Sequence, residues 1–163
     1  MTFEDIYREN YRSVFVLANR MINNEEASKD ITQDVFVKLY NTPGRGEEIK
    51  NVQAWLSRVT YNHSLNFLRK SNSVRQYKGH TSLSTAKDAE MRIIEAEESA
   101  LIRELLNKLK NREQVLIRLY SAGMSYREIS EITGIKFSSV GSTLARTLKK
   151  SKKKYYEKER QMP

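Results

Sequence analysis

MSYREISEITGIKFSSVGSTLARTLKK, residues 124–150, carries the sharpest structural signal in the chain. Ser125 can cap a helix, and Glu128 three residues later completes the reciprocal pair of a capping box. Ile129 and Ile132 fall on one face of that helix. Gly134 stands where a left-handed cap would end it, a conformation glycine adopts without steric penalty. Ile135, Val140, Leu144 and Leu148 then set a second apolar stripe at helical spacing. Two short helices joined by a tight turn are the sequence form of a helix-turn-helix, whose second helix enters the DNA major groove.

The charge around this stretch agrees with an anionic partner. The chain has 163 residues and a net charge of +9. Residues 1–70 carry 10 Lys/Arg against 9 Asp/Glu, residues 71–95 carry 4 against 3, and residues 96–163 carry 15 against 8. The basic excess therefore sits in the third that holds the helix-turn-helix, which is the electrostatic footprint of nucleic-acid binding. Its end, KKSKKKYYEKER (149–160), is expected to prolong the last helix.

Composition excludes several classes. With 39% hydrophobic and 30% charged residues the chain can build modest cores in water. It has no cysteine, so neither a disulfide framework nor a thiolate zinc site is possible. Met1–Asn10 is polar and acidic, unlike a secretory leader, and no apolar run approaches the ~20 residues that span a bilayer. A cytoplasmic location is the expectation. Only 2 prolines and 6 glycines, and no β-branched alternation, predict an all-α chain.

Outward from the helix-turn-helix, periodicity predicts the other elements. A first helix runs from a Thr2 cap to about Ile22, with Phe3, Ile6, Tyr7, Val14, Leu17, Ala18 and Met21 on its apolar side. A second runs from about Glu25 to Tyr40, with Ala27, Ile31, Val35 and Leu39 at intervals of four. Asn41–Gly46 is a strong breaker. A third starts near Val52 with Trp55, Leu56 and Val59 inward, after a short helical piece around Glu47–Lys50, and continues to Lys70. Ser71–Ala89 is polar and aperiodic and reads as a flexible linker. Helicity resumes near Glu90 with Ile93, Ile94, Leu101, Leu105, Leu106 and Leu109, and Asn111 is expected to cap the helix before the helix-turn-helix. The layout is two small helical domains, 1–70 and 90–163, joined by the linker 71–89.

Two N-terminal motifs go beyond architecture. In Asp30–Tyr40, Asp30, Gln33, Asp34 and Lys38 share one helical face beside the apolar stripe. In Asn51–Lys70, Arg58, Asn62, Asn66 and Arg69 project from one side at spacings of four, four and three. Amide and guanidinium groups so arrayed suit base edges and phosphates. On the last helix, the residues outside the apolar stripe are Ser138, Ser139, Ser142, Thr143, Arg146 and Lys149.

Together these motifs resemble the extracytoplasmic-function sigma factors, the small two-domain members of the sigma-70 family. The pattern Asp-aliphatic-x-Gln-[Asp/Glu]-x-Phe is met by Asp30, Ile31, Gln33, Asp34 and Phe36. Ala-Trp-Leu-x-Arg-aliphatic-x-x-Asn is met by Ala54, Trp55, Leu56, Arg58, Val59 and Asn62. Glu-Ile-[Ala/Ser]-x-aliphatic-x-Gly-Ile is met by Glu128, Ile129, Ser130, Ile132, Gly134 and Ile135. The resemblance implies that Asp30, Gln33, Asp34 and Lys38 dock on the β′ clamp helices of core RNA polymerase, with the β subunit a further contact. It implies that Arg58, Asn62, Asn66 and Arg69 meet the −10 promoter element. It also implies that Ser138, Ser139, Ser142, Thr143, Arg146 and Lys149 meet the −35 element. An anti-sigma factor, often membrane-bound, is the partner it suggests, with no cofactor. The chain departs from the family pattern at Asn66, where Asp is common, and at Gly141 and Thr143, where Lys and Arg are common.

The competing readings are weaker. A conventional helix-turn-helix regulator, binding palindromic duplex as a dimer, leaves Asp30–Tyr40 and Asn51–Lys70 unexplained. An enzyme would need a site, yet the only histidines are His63 and His80, and no phosphate loop, nucleophile elbow or metal-spaced acid cluster is present.

Overall fold

The computed structural model describes residues 2–46, 49–77 and 104–160. Among these every regular element is helical. α1 spans Phe3–Ile22 and α2 Glu25–Tyr40; a 3-10 turn follows at Pro43–Gly46; α3 spans Val52–Tyr77. α4 spans Asn111–Ser121, α5 Tyr126–Thr133 and α6 Phe137–Glu159.

Local chemistry sets the helix ends. Thr2 and Asp5 form a capping box at the start of α1, and Asn24 caps α2 through the Ala27 N–H at 2.9 Å. α1 stops at Asn23, which takes the left-handed conformation at φ 50 and returns its N–H to the Asn19 carbonyl. Each of the two side-chain N-caps contributes about 1 kcal/mol. Two differences from the sequence reading are local. α3 continues to Tyr77, seven residues past Lys70; Ser71–Tyr77 holds neither Pro nor Gly, so nothing in it breaks a helix. α4 is capped one residue earlier than expected: the Lys110 N–H donates to the Glu113 carboxylate at 2.8 Å, and Asn111 is the first helical residue. Glu47–Glu48, the rest of the linker stretch (78–89) and the helix expected from Glu90 with Ile93, Ile94 and Leu101 lie outside the described residues.

α1, α2 and α3 pack on one another around Ile6, Val14, Ala18, Met21, Val35, Leu39 and Leu56. The stripe at intervals of four on α2 is buried at Ile31, Val35 and Leu39, whereas Tyr7 and Trp55, read as inward, stay partly or largely open. Ser28, Thr32 and Thr60 are also buried; each hydroxyl donates to the carbonyl four residues back, at 2.6–2.7 Å. Self-satisfied hydroxyls let helices approach closely without orphaned polar atoms. α4, α5 and α6 surround Leu116, Leu119, Ile129, Ile132, Val140 and Leu144. Leu148, expected on the same inward stripe, is 42% exposed and lines an open groove with Leu105, Leu106 and Ile117.

The two bundles share one continuous core, with α1 against α4 and α3 against α5. Two arginines exchange across the boundary. Arg58 of α3 donates to the Ile132 carbonyl at 3.1 Å, and Arg118 of α4 donates to the Met21 carbonyl at 3.2 Å. Ile132 and Met21 lie in the last turns of α5 and α1, where carbonyls lack an intrahelical partner and the helix dipole favours a cation. Asn72 and Asn111 add a third cross-boundary bond at 2.7 Å.

Gly134 is constrained twice at this boundary. Its φ of 76 is left-handed, and a Cβ there would collide with the Arg58 guanidinium. Gly123 has a similar φ of 82 but open space around it. Gly123→Ala should therefore cost only backbone strain, about 1–2 kcal/mol, while Gly134→Ala should cost about 1 kcal/mol more by displacing the arginine. Urea denaturation checks this: the excess at Gly134 should vanish in an Arg58→Ala background, and equal costs at the two glycines would remove Arg58 from this turn's energetics.

Candidate nucleic-acid and partner interfaces

The helix-turn-helix is held by side chains to its own backbone. The Ser125 Oγ accepts from the Glu128 N–H at 3.3 Å, and the Glu128 carboxylate accepts from the Ser125 N–H at 2.7 Å. The Ser125 hydroxyl and N–H hold the Glu128 carboxyl below its ordinary range. At the turn, Ser130 Oγ donates to the Ile135 carbonyl at 2.7 Å, and Thr133 Oγ1 accepts from the Ile135 N–H at 3.2 Å. These bonds fix the direction in which α6 leaves α5.

On α6, Ser138, Ser142, Arg146 and Lys149 are exposed, while Ser139 and Thr143 are half-buried. Arg146 lies back along its helix, its Nε 3.4 Å from the Ser142 carbonyl. Gly141 permits a close approach, but to protein: a Cβ there would sit 3.2 Å from the Tyr126 ring. Phe137, which opens α6, is 59% exposed. Sequence reading passed over it because a phenylalanine outside the apolar stripe carries no charge or amide to mark it.

Arg58, Asn62, Asn66 and Arg69 share one face of α3, as their spacing predicts, and all are exposed. They do not form one cluster. Arg69 donates to the Asn66 Oδ1 at 3.1 Å, whereas the Arg58 head is engaged by α5. On α2, Asp30, Gln33, Asp34 and Lys38 are all exposed, and Val37 stands among them at 57% exposure. Val37 thus gives this polar face one exposed apolar side chain. The sequence signal was present: Val37 follows Gln33 by four and Asp34 by three, outside the stripe of buried aliphatics. His63 of α3 reaches this face, its Nδ1 3.9 Å from the Asp34 carboxylate. Among the described residues no cluster of three His, Cys, Asp or Glu could hold a metal ion, and no helix is long and apolar enough to cross a membrane.

A chain with a helix-turn-helix on one bundle and a polar-rimmed apolar face on the other has the build of a transcription initiation factor, and comparison with known proteins gives the family. Residues 6–74 match the family Sigma-70 region 2, and residues 99–150 match Sigma-70, region 4. RNA polymerase sigma factor YlaC of Bacillus subtilis (strain 168) is 31% identical over 168 residues, covering 98% of this chain and 96% of that protein. RNA polymerase sigma factor SigV of the same organism is 24% identical, covering 90% of this chain and 81% of that protein. ECF RNA polymerase sigma factor SigE of Mycolicibacterium smegmatis is 23% identical, covering 89% of this chain and 58% of that protein. The chain belongs to the sigma-70 family, in its extracytoplasmic-function group. It is a sigma factor for promoter recognition and transcription initiation, and the reading as a dimeric regulator independent of polymerase falls.

His63 gives the α2 face a pH signature. Burial lowers its pKa, the Asp34 carboxylate opposes that in part, and Lys38 adds to the lowering. The unfolded chain therefore takes up a proton at this position before the folded one does, and stability falls as pH drops through the ordinary histidine range. Denaturation midpoints should decline between pH 7 and about 5.5, above the carboxylate range, and His63→Gln should flatten that decline. An unaltered pH slope in the variant would assign the effect to other groups.

Proposed function

We propose that three open faces, on α2, α3 and α6, divide a sigma factor's work between them. The α2 face, with Val37 at its centre and Asp30, Gln33, Asp34 and Lys38 around it, docks on the β′ clamp helices of core RNA polymerase. Asn62, Asn66 and Arg69, joined by Arg58 once α5 releases it, contact the −10 element. The loop 41–50 joins them at the −10 element, and the non-template base that the family flips beside that loop costs a few kcal/mol to unstack, which pocket contacts must offset. Ser138, Ser139, Ser142, Thr143, Arg146 and Lys149 contact the −35 element, with Phe137 at the leading end of α6 suited to apolar contact with a thymine methyl. The observation that carries this reading is the coexistence of these three largely exposed faces on a chain whose two bundles match regions 2 and 4 in order.

The chain performs no bond chemistry; nucleotide addition belongs to the polymerase. It acts in the cytoplasm, where the promoter is. An anti-sigma factor that covers the α2 face, anchored in the membrane, is the regulator that suits an exposed apolar centre.

Transcription in vitro from a promoter of the host, with core polymerase present or absent, tests the proposal: specific transcripts should need both components. Asp34→Arg places a cation where the clamp contact requires an anion and should reduce co-elution with core at least tenfold while leaving the helical circular dichroism unchanged. Arg146→Ala should weaken promoter binding about tenfold with co-elution intact, as expected for loss of ~1–3 kcal/mol from one base contact. Undiminished co-elution of the Asp34 variant would move the docking surface elsewhere.

A further inference from the structure

The basic tail is a continuation of the recognition helix, and its lysines are sorted between two faces. α6 runs unbroken from Phe137 to Glu159. Lys150, Lys154 and Lys158, at intervals of four, turn inward. Lys150 pairs with Glu113 at 2.9 Å, Lys154 donates to the Lys108 carbonyl, and Lys158 pairs with Glu104. These three pin the helix to its own bundle. Lys149, Lys152 and Lys153 are exposed and turn outward. Lys149 and Lys153 lie on the line set by Ser138, Ser142 and Arg146, at successive spacings of four, four, three and four. Lys152 is held over the Tyr156 ring at 5.8 Å, and Lys153 lies 3.9 Å from the exposed Glu157 carboxylate.

The base-contacting turns are poor in cations. Between Phe137 and Thr147 the sole Lys or Arg is Arg146, and the rest of the open face is serine and threonine. Specific binding to duplex DNA draws much of its affinity from phosphate neutralisation. The cations missing from those turns are supplied within the next two turns of the same face, on a helix whose inner lysines hold it in register. Charges positioned in advance lose less side-chain entropy on binding than charges on a free tail.

We propose that Lys149, Lys152 and Lys153 form a phosphate-contacting rail, continuous with the recognition face, that grips the backbone of promoter duplex flanking the base-contacted step. Its partner is double-stranded DNA, because the rail extends a DNA-facing surface without a break. The proposal rests on the sigma-factor reading of α6.

The experiment compares two triple variants of equal charge in the full chain: Lys149/Lys152/Lys153→Gln and Lys150/Lys154/Lys158→Gln. Each is assembled with core polymerase, and promoter affinity is titrated against salt. The outward triple should lower the slope of log K against log salt by ~2–3, since each phosphate contact contributes about 0.9. Its melting temperature should not change, and the outward Lys→Arg triple should keep the native slope. The inward triple should lose thermal stability while its slope changes by less than ~1. Equal slope losses in the two triples would reduce the tail to net charge and overturn the rail, as would an unchanged slope in the outward triple. Loss of binding to vesicles of phosphatidylglycerol and phosphatidylcholine, with the DNA slope intact, would give the face to a membrane and equally overturn it. Co-elution with core is read first: a chain that assembles but fails the salt test sinks the rail alone, whereas one that never assembles sinks the sigma reading and the rail with it.

Discussion

Every helix leaves its last carbonyls without internal donors, and in this protein two of those ends are closed by the opposite bundle. Arg58 reaches from α3 to the end of α5, and Arg118 reaches from α4 to the end of α1. The exchange is reciprocal, so one helix terminus in each bundle takes a donor from the other. It also explains why Gly134 carries two demands. The turn needs a left-handed residue, and the guanidinium needs the volume a Cβ would fill. A cation at a helix C-terminus gains from both the hydrogen bond and the dipole, about 0.3–1 kcal/mol from the latter. Neither contact is large, but both sit at the margin of one shared core, and they set where α5 and hence α6 point.

The fold was legible in the sequence where a single physical cause dominates. Thr2, Ser125 and Glu128 cap as their types require, and Gly134 ends α5 as only a residue without a side chain does comfortably. Apolar spacing placed α1 and α2 because Val14, Ala18, Met21, Val35 and Leu39 have no alternative to burial. The reading failed where two causes compete. Ser28, Thr32 and Thr60 look like surface residues and are buried, because each can return its proton to its own helix. Polarity likewise hid the continuation of α3 through Ser71–Tyr77: composition says linker, yet no residue there forbids a helix. Leu148 has the right spacing for the core but belongs to a groove, since periodicity fixes a face and not what covers it.

Site residues follow the same division. Spacing put Arg58 with Asn62, Asn66 and Arg69 correctly on one face of α3, and nothing in that spacing could reveal that the Arg58 head turns toward a carbonyl 74 residues away in sequence. Val37 and Phe137 escaped notice for the opposite reason. Single exposed apolar residues are ordinary on any surface, and only their position among charged or hydroxyl neighbours, seen in three dimensions, makes them candidates. The tail lysines show the same limit. As a run they are a block of charge; folded on α6 they become an inner set that neutralises Glu104 and Glu113 and an outer set that faces water.

The position of Arg58 bears on how such a protein could engage a promoter. Its bond to the Ile132 carbonyl is charge-assisted and partly exposed, so its net contribution falls toward the lower end of the ~1.5–3 kcal/mol typical of charged hydrogen bonds. A good guanidinium contact to a base edge discriminates by ~1–3 kcal/mol. The two are matched, and Arg58 cannot make both. If it meets the −10 element as proposed, binding there frees the carbonyl that ends α5, while the shared core and the Arg118 and Asn72 bonds still join the bundles. One of the three cross-boundary hydrogen bonds would then be exchanged at little net cost for a contact that reads DNA. Separation of the two bundles along a promoter would still expose the shared core and break the Arg118 and Asn72 bonds, a cost that the DNA and polymerase contacts must offset.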